Sequence, residues 1–117
     1  MSNTHGSKWI RPEKRLAIYA RDGFACVCCG ATAEEGVMLS LDHVLPRELG
    51  GTHHETNLVT MCVPCNSTKR DATNRRFFEI LRDKGIDTSK LGARIRAAVK
   101  RAIDINEGKA LLAARKG

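Results

Sequence analysis

The sequence predicts a small α+β domain, two short strands among helices, and three observations carry that expectation. The five cysteines include two C-x2-C pairs, Cys26 with Cys29 and Cys62 with Cys65, about 32 residues apart. Two segments between or ending at those pairs read as strands: VMLSLDHV (37–44), which alternates apolar and polar residues at first, and LVTMC (58–62), which is apolar with a β-branched pair. The chain on either side of them has helical rather than alternating periodicity.

Taken in order, the elements follow from local chemistry. Residues 1–10 are polar, contain Gly and Ser, and read as a flexible arm in which His5 carries no functional expectation. Pro12 sits where a helix starts, Leu16, Tyr19 and Ala20 share a face, and Gly23 is a stop, so a short helix delivers the chain to Cys26. The two strands can pair antiparallel across a loop of about 13 residues with Gly50 and Gly51 at its turn, longer than usual and so a candidate functional loop. A helical run follows Cys65, with Phe77, Phe78, Ile80 and Leu81 as its packing cluster and Gly85 as its stop. Asp87, Thr88 and Ser89 offer caps for a further helix in which Leu91, Ile95, Val99 and Ala102 or Ile103 recur at helical spacing, with Arg94, Arg96, Lys100 and Arg101 between them. The final LLAARKG is expected to fray. These readings divide the chain into the arm, a domain over residues 11–85 and a basic helical C-terminal extension over residues 86–117.

At 117 residues the chain suffices for one domain, and with only 4% aromatic residues its core is light enough to need a staple. The odd cysteine count argues against a pure disulfide framework. No segment has the length of a membrane span or the pattern of a secretion signal, which predicts a soluble, intracellular protein with reduced thiols. Net charge is +7, unevenly spread: residues 1–65 hold 6 Lys/Arg against 7 Asp/Glu, residues 66–117 hold 14 against 6. A polyanionic partner suits that basic half, although a solvated helix face accounts for the same charges.

Two C-x2-C pairs supply four thiolates, and each short spacer lets its pair approach one ion from a tight turn, as tetrahedral zinc requires. Cys26, Cys29, Cys62 and Cys65 are therefore the expected structural zinc ligands, with Cys28 a spare. Four sulfurs leave that zinc no open position, so any chemistry belongs elsewhere. Inside the bracket, Asp42 and His43 end the first strand. Asn66 follows the second cysteine pair at the start of the next helix. Strand pairing with the helix packed across would bring the three together as a hard-cation site beside an imidazole.

The ordered combination C-x2-C-G, the DH dipeptide 42–43, P-x3-GG (46–51), N-L (57–58) and C-x2-C-N-x2-K (62–69) resembles the HNH endonuclease family in its zinc-ribbon form, over roughly residues 19–70. The resemblance implies a ββα-metal fold. It also implies His43 as general base, Asp42 and Asn66 as ligands of a catalytic divalent ion, Asn57 ordering the loop that orients His43, and products with 5′-phosphate ends. Asn66 stands where many relatives carry His, and an oxygen-only donor pair favours Mg²⁺ or Mn²⁺. DNA is the expected substrate. Lys69, Arg70, Arg75 and Arg76 are candidates to meet its phosphates, set against the plain reading of one exposed helical face. His53 and His54 read as exposed loop histidines. A single active site would nick duplex DNA as a monomer, and a double-strand break would need a homodimer or two encounters. The rival readings are a zinc-ribbon DNA-binding module with an inert centre and a zinc-stabilised protein-interaction domain.

Overall fold

The computed structural model describes residues 10–116, and the side chains of 10–115. The expected arm lies outside the described residues apart from Ile10, which is buried rather than frayed. The order is α1 (Pro12–Arg21), β1 (Leu39–His43), β2 (Leu58–Cys62), α2 (Val63–Lys69), α3 (Asn74–Asp83), α4 (Leu91–Lys100) and α5 (Ile105–Lys116). The strands form a two-stranded antiparallel sheet with Leu39 opposite Cys62 and His43 opposite Leu58. Together with α2 this is the ββα unit, and the other helices pack around it.

A two-stranded ribbon is marginal alone, and here both its faces are covered. Alternation along β2 sends Val59 and Met61 into a core with Phe77, Leu81, Leu91, Ile95 and Ala98, while Leu58 joins Leu41, Ile10, Leu16, Ile18 and Tyr19 in a second core. Helix α4 thus buries the stripe its spacing announces, with Val99 packed at its edge and Ala102 exposed beyond the helix end. The end of α1 is tied to β2 by Arg21, which donates to the carbonyls of Glu55 (3.0 Å) and Leu58 (2.7 Å) and pairs with Asp22 at 2.8 Å. Asp22 in turn accepts from the Thr60 amide at 2.9 Å.

The structure corrects three sequence expectations. The helical run after Cys65 is two helices, not one. Helix α2 opens at Val63, with Pro64 in its first turn, so Asn66 is inside the helix rather than at its start, and the helix ends at Arg70, whose φ is +53°. Thr73 then starts α3 by accepting from the Arg76 amide at 3.1 Å. The described C-terminal residues, up to Lys116, are helical, because α5 lies along α1. Gly108 permits the approach, since a Cβ there would stand 1.9 Å from the Glu13 carbonyl oxygen.

Candidate functional site

The cysteines meet where the sequence expects. A knuckle turn carries Cys26 and Cys29, with Gly30 at φ +80° donating to the Cys26 carbonyl, and β2 running into α2 carries Cys62 and Cys65. Their four Sγ atoms all lie within 4.8 Å of one another. Zinc–sulfur bonds of about 2.3 Å in a tetrahedron put sulfurs about 3.8 Å apart, and Cys29 Sγ stands 3.7 Å from Cys62 Sγ. The amides of Cys28 and Cys29 donate to Cys26 Sγ at 3.3 and 3.4 Å. Burial opposes the Cys26 thiolate, but the backbone amides aimed at it prevail and hold that thiol below its ordinary pKa, whereas burial pushes the Cys62 and Cys65 thiols up. The four sulfurs therefore fit zinc. Arg94 of α4 donates to the Cys28 carbonyl at 3.1 Å and so braces the knuckle from the C-terminal half.

The second cluster lies at the end of β1. Asn66 projects from α2 onto that strand, its Nδ2 donating to Ser40 Oγ (2.9 Å) and the Leu41 carbonyl (3.2 Å). The next residue is Asp42, only 5% exposed. Its Oδ2 accepts from Lys69 Nζ at 2.6 Å, and the same ammonium donates to the His43 carbonyl at 2.9 Å. Burial raises the Asp42 pKa to about 6 against the opposing pull of Lys69. Asp42 Oδ1 and Asn66 Oδ1 take no part in these bonds. That donor set fits a hard divalent cation.

His43 follows Asp42 and, by strand alternation, turns to the opposite side of the ribbon. Its Nε2 lies 3.0 Å from His53 Nδ1, with the ring centroids 5.1 Å apart, and His53 Nε2 lies 3.0 Å from an Arg47 guanidinium nitrogen. Asn57 holds the loop that delivers these groups: its Oδ1 accepts from the Leu45 amide at 2.8 Å, and its Nδ2 donates to the carbonyls of Leu45 (3.1 Å) and Thr52 (2.9 Å). Gly51 lets the loop close, since a Cβ there would meet the Leu45 carbonyl oxygen at 1.8 Å.

Two expectations change. Lys69 does not present its ammonium to solvent. It is 1% exposed and committed to Asp42, so it has no free reach to a DNA phosphate. The signal was present, since Lys69 follows Asn66 by three residues and shares its face of α2. His53 is half-buried against His43 rather than an exposed loop residue, whereas His54 is exposed and caps the turn Glu55–Asn57 by accepting from the Thr56 amide. Nothing in the spacing announces the His43–His53 contact, which depends on how the loop returns after Gly51. Arg70, Arg75 and Arg76 are exposed, with Arg76 bonded to Glu79 at 3.1 Å.

The HNH endonuclease family profile matches residues 26–81, a span that takes in both cysteine pairs, the Asp42–His43 strand end and Asn66. A chain in the crystal structure of the Type II-C Cas9 enzyme from Actinomyces naeslundii aligns at 22% identity with a TM-score of 0.45, over 86% of this chain and 12% of that one. This chain thus spans a small fraction of that protein's length. No curated protein matches the sequence. The family match takes in β1, β2, α2 and α3 as far as Leu81, and leaves α1, α4 and α5 outside it.

Proposed function

We propose that this protein is a divalent-metal-dependent DNA endonuclease in which His43 takes a proton from the attacking water while Asp42 and Asn66 hold one Mg²⁺ or Mn²⁺ ion. The observation that supports the reading is the bonding of Asn66 Nδ2 to Ser40 Oγ and the Leu41 carbonyl, which sets this side chain against the strand that carries Asp42 and His43, inside the family match.

The roles follow from chemistry. A neutral imidazole is the side chain best matched to accept a proton from water near pH 7. The bound ion would supply Lewis-acid stabilisation of charge on the scissile phosphate and on the departing 3′ oxygen. Asp42 and Asn66 offer it a carboxylate and an amide oxygen. Lys69 orients the Asp42 carboxylate by holding its Oδ2, which leaves Oδ1 as the oxygen offered to the ion. Asn57 fixes the loop, and through it the imidazole. Attack by water opposite the 3′ oxygen yields 5′-phosphate and 3′-hydroxyl ends.

Exposed Arg70, Arg75 and Arg76, with Arg96, Lys100 and Arg101 of the C-terminal half, are suited to backbone phosphates. Such contacts are independent of sequence and weaken with salt. One active site per chain makes nicking the expected product of a monomer.

The reading is tested by cleavage of a duplex oligonucleotide with Asp42→Asn and Asn66→Ala. Each should lower kcat by at least a hundredfold while zinc content and DNA affinity stay unchanged. Normal turnover in both variants would remove these residues from the metal site. Asn66→His should widen metal use to Ni²⁺ or Zn²⁺, since imidazole accepts those ions readily. Equal rates with those ions in wild type and Asn66→His would contradict the oxygen-only assignment.

A further inference from the structure

We propose that Arg47 holds the phosphate being cleaved, its guanidinium bonding the non-bridging oxygens and presenting the phosphorus to the water activated at His43. The proposal rests on the reading of His43 as general base.

The loop between β1 and β2 gives Arg47 a rigid mount. Arg47 opens the 3-10 turn Arg47–Leu49, where the Leu49 and Gly51 amides donate to the Pro46 carbonyl and the Gly50 amide donates to the Arg47 carbonyl, each at 3.0 Å. Gly50 closes the turn at φ +97°, a conformation suited to glycine. At the base of the loop the Asn57 side chain bonds Leu45 and Thr52. The Arg47 backbone is thus fixed relative to the end of β1, while its side chain is exposed. A group that must meet a phosphate at a set place gains from such a mount.

The side chain reaches towards the proposed base. One guanidinium nitrogen of Arg47 lies 3.0 Å from His53 Nε2, and His53 Nδ1 lies 3.0 Å from His43 Nε2. Two such contacts and the width of one imidazole put the guanidinium at most about 8 Å from His43. A general base stands about 3 Å from its water, the water about 3–3.5 Å from the phosphorus, and a guanidinium nitrogen about 2.8 Å from a phosphate oxygen. A phosphodiester attacked by water on His43 therefore has its non-bridging oxygens within the sweep of Arg47.

Charge sets Arg47 apart from the cations around it. Lys14, which donates to the His53 carbonyl at 3.1 Å, pairs with Glu55 at 3.4 Å, Arg21 pairs with Asp22, and Lys69 is buried on Asp42. Among the described residues no carboxylate forms an ion pair with Arg47, whose guanidinium rests instead on a histidine. An exposed guanidinium mounted beside the base suits a phosphodiester anion, and its planar fork can bond two oxygens at once. In the reaction it keeps its protons. Water gives one proton to His43, the P–O3′ bond breaks, and Arg47 balances the charge that builds on the non-bridging oxygens.

Single-turnover cleavage of a duplex oligonucleotide by saturating protein in Mg²⁺, with affinity measured in Ca²⁺, separates this contact from ordinary backbone contacts. Arg47→Met, which keeps the length and removes the fork at an exposed position, should slow the cleavage step about a hundredfold and weaken binding by no more than about threefold. Arg47→Lys, with the charge but not the fork, should fall between. A His53→Ala background removes the contact to His53, and the Arg47→Met penalty should persist there. Weakened binding at an unchanged cleavage rate would make Arg47 one backbone contact among many. A penalty that vanishes in the His53→Ala background would reduce Arg47 to a support for His53, and either result overturns the proposal. Full cleavage by His43→Ala beside a slow Arg47→Met would instead overturn the general-base reading and leave the phosphate contact standing. No cleavage by wild type would remove both.

Discussion

The buried Lys69–Asp42 pair is where the energetics of single residues are most exposed to test. Removing one partner of such a pair leaves a buried charge uncompensated, typically at about 3–5 kcal/mol. Lys69→Met should therefore lower unfolding free energy by that order in denaturant titrations, and a variant as stable as wild type would refute the buried pair. Because burial raises the Asp42 pKa from 3.8 to about 6, native Asp42 holds its proton where the unfolded chain has released it. Its contribution to stability is present below about pH 4 and is lost as pH rises through 6, the reverse of a carboxylate whose pKa is depressed. The difference in unfolding free energy between wild type and Asp42→Asn, without added Mg²⁺, should shift against wild type by about 2 kcal/mol from pH 4 to pH 7. A difference that is flat across that window would contradict the burial argument. None of this is visible in the sequence as an energy, since Asp42 and Lys69 stand 27 residues apart. The types Asp, His and Asn are legible there because their chemistry has few substitutes, but their partners are assigned only by the fold.

At the scale of elements, the sheet and the zinc knuckles were legible because their signals are local. A segment that alternates apolar and polar residues and an apolar one with a β-branched pair form β1 and β2, and the C-x2-C spacing brings the sulfurs together. The break between α2 and α3 was not legible, because it depends on Arg70 taking a positive φ with neither Gly nor Pro to mark it. Helix α5 was hidden for a different reason. It has little apolar stripe of its own, and it is held by close approach to α1 at Gly108. Gly108→Leu should disrupt that contact, destabilising the protein by about 1–3 kcal/mol as overpacking does and releasing α5 to faster amide exchange, with protection of β2 retained. Unchanged exchange in α5 would mean that the helix is held otherwise. Zinc held by the four cysteines would have a larger effect, since structural zinc contributes roughly 10–16 kcal/mol of apparent binding energy. Chelation, or Cys62→Ser, should therefore collapse the cooperative unfolding transition, and a sharp transition in zinc-free protein would show that the core suffices alone.

The whole molecule divides its labour by charge. The half up to Cys65 is nearly neutral and holds the cysteines, Asp42 and His43, whereas the basic half supplies Asn66, Lys69 and the exposed arginines. Helix α4 also closes the core over β2 and, through Arg94, braces the cysteine knuckle, so exposed positive charge and structural support share one segment. No helix among the described residues is long and apolar enough to cross a membrane. DNA affinity should fall steeply between 50 and 200 mM salt, as for any protein neutralising several phosphates, and an affinity insensitive to salt would remove the basic half from the interface. The most direct test of the central claim is conversion of supercoiled plasmid by zinc-loaded protein in Mg²⁺, wild type beside His43→Ala, with Ca²⁺ replacing Mg²⁺ as the control. Open circles made by wild type in Mg²⁺ and not by His43→Ala are the expected result. Plasmid left supercoiled by both proteins, while both bind it, would contradict the account and leave a zinc-stapled DNA-binding module in its place.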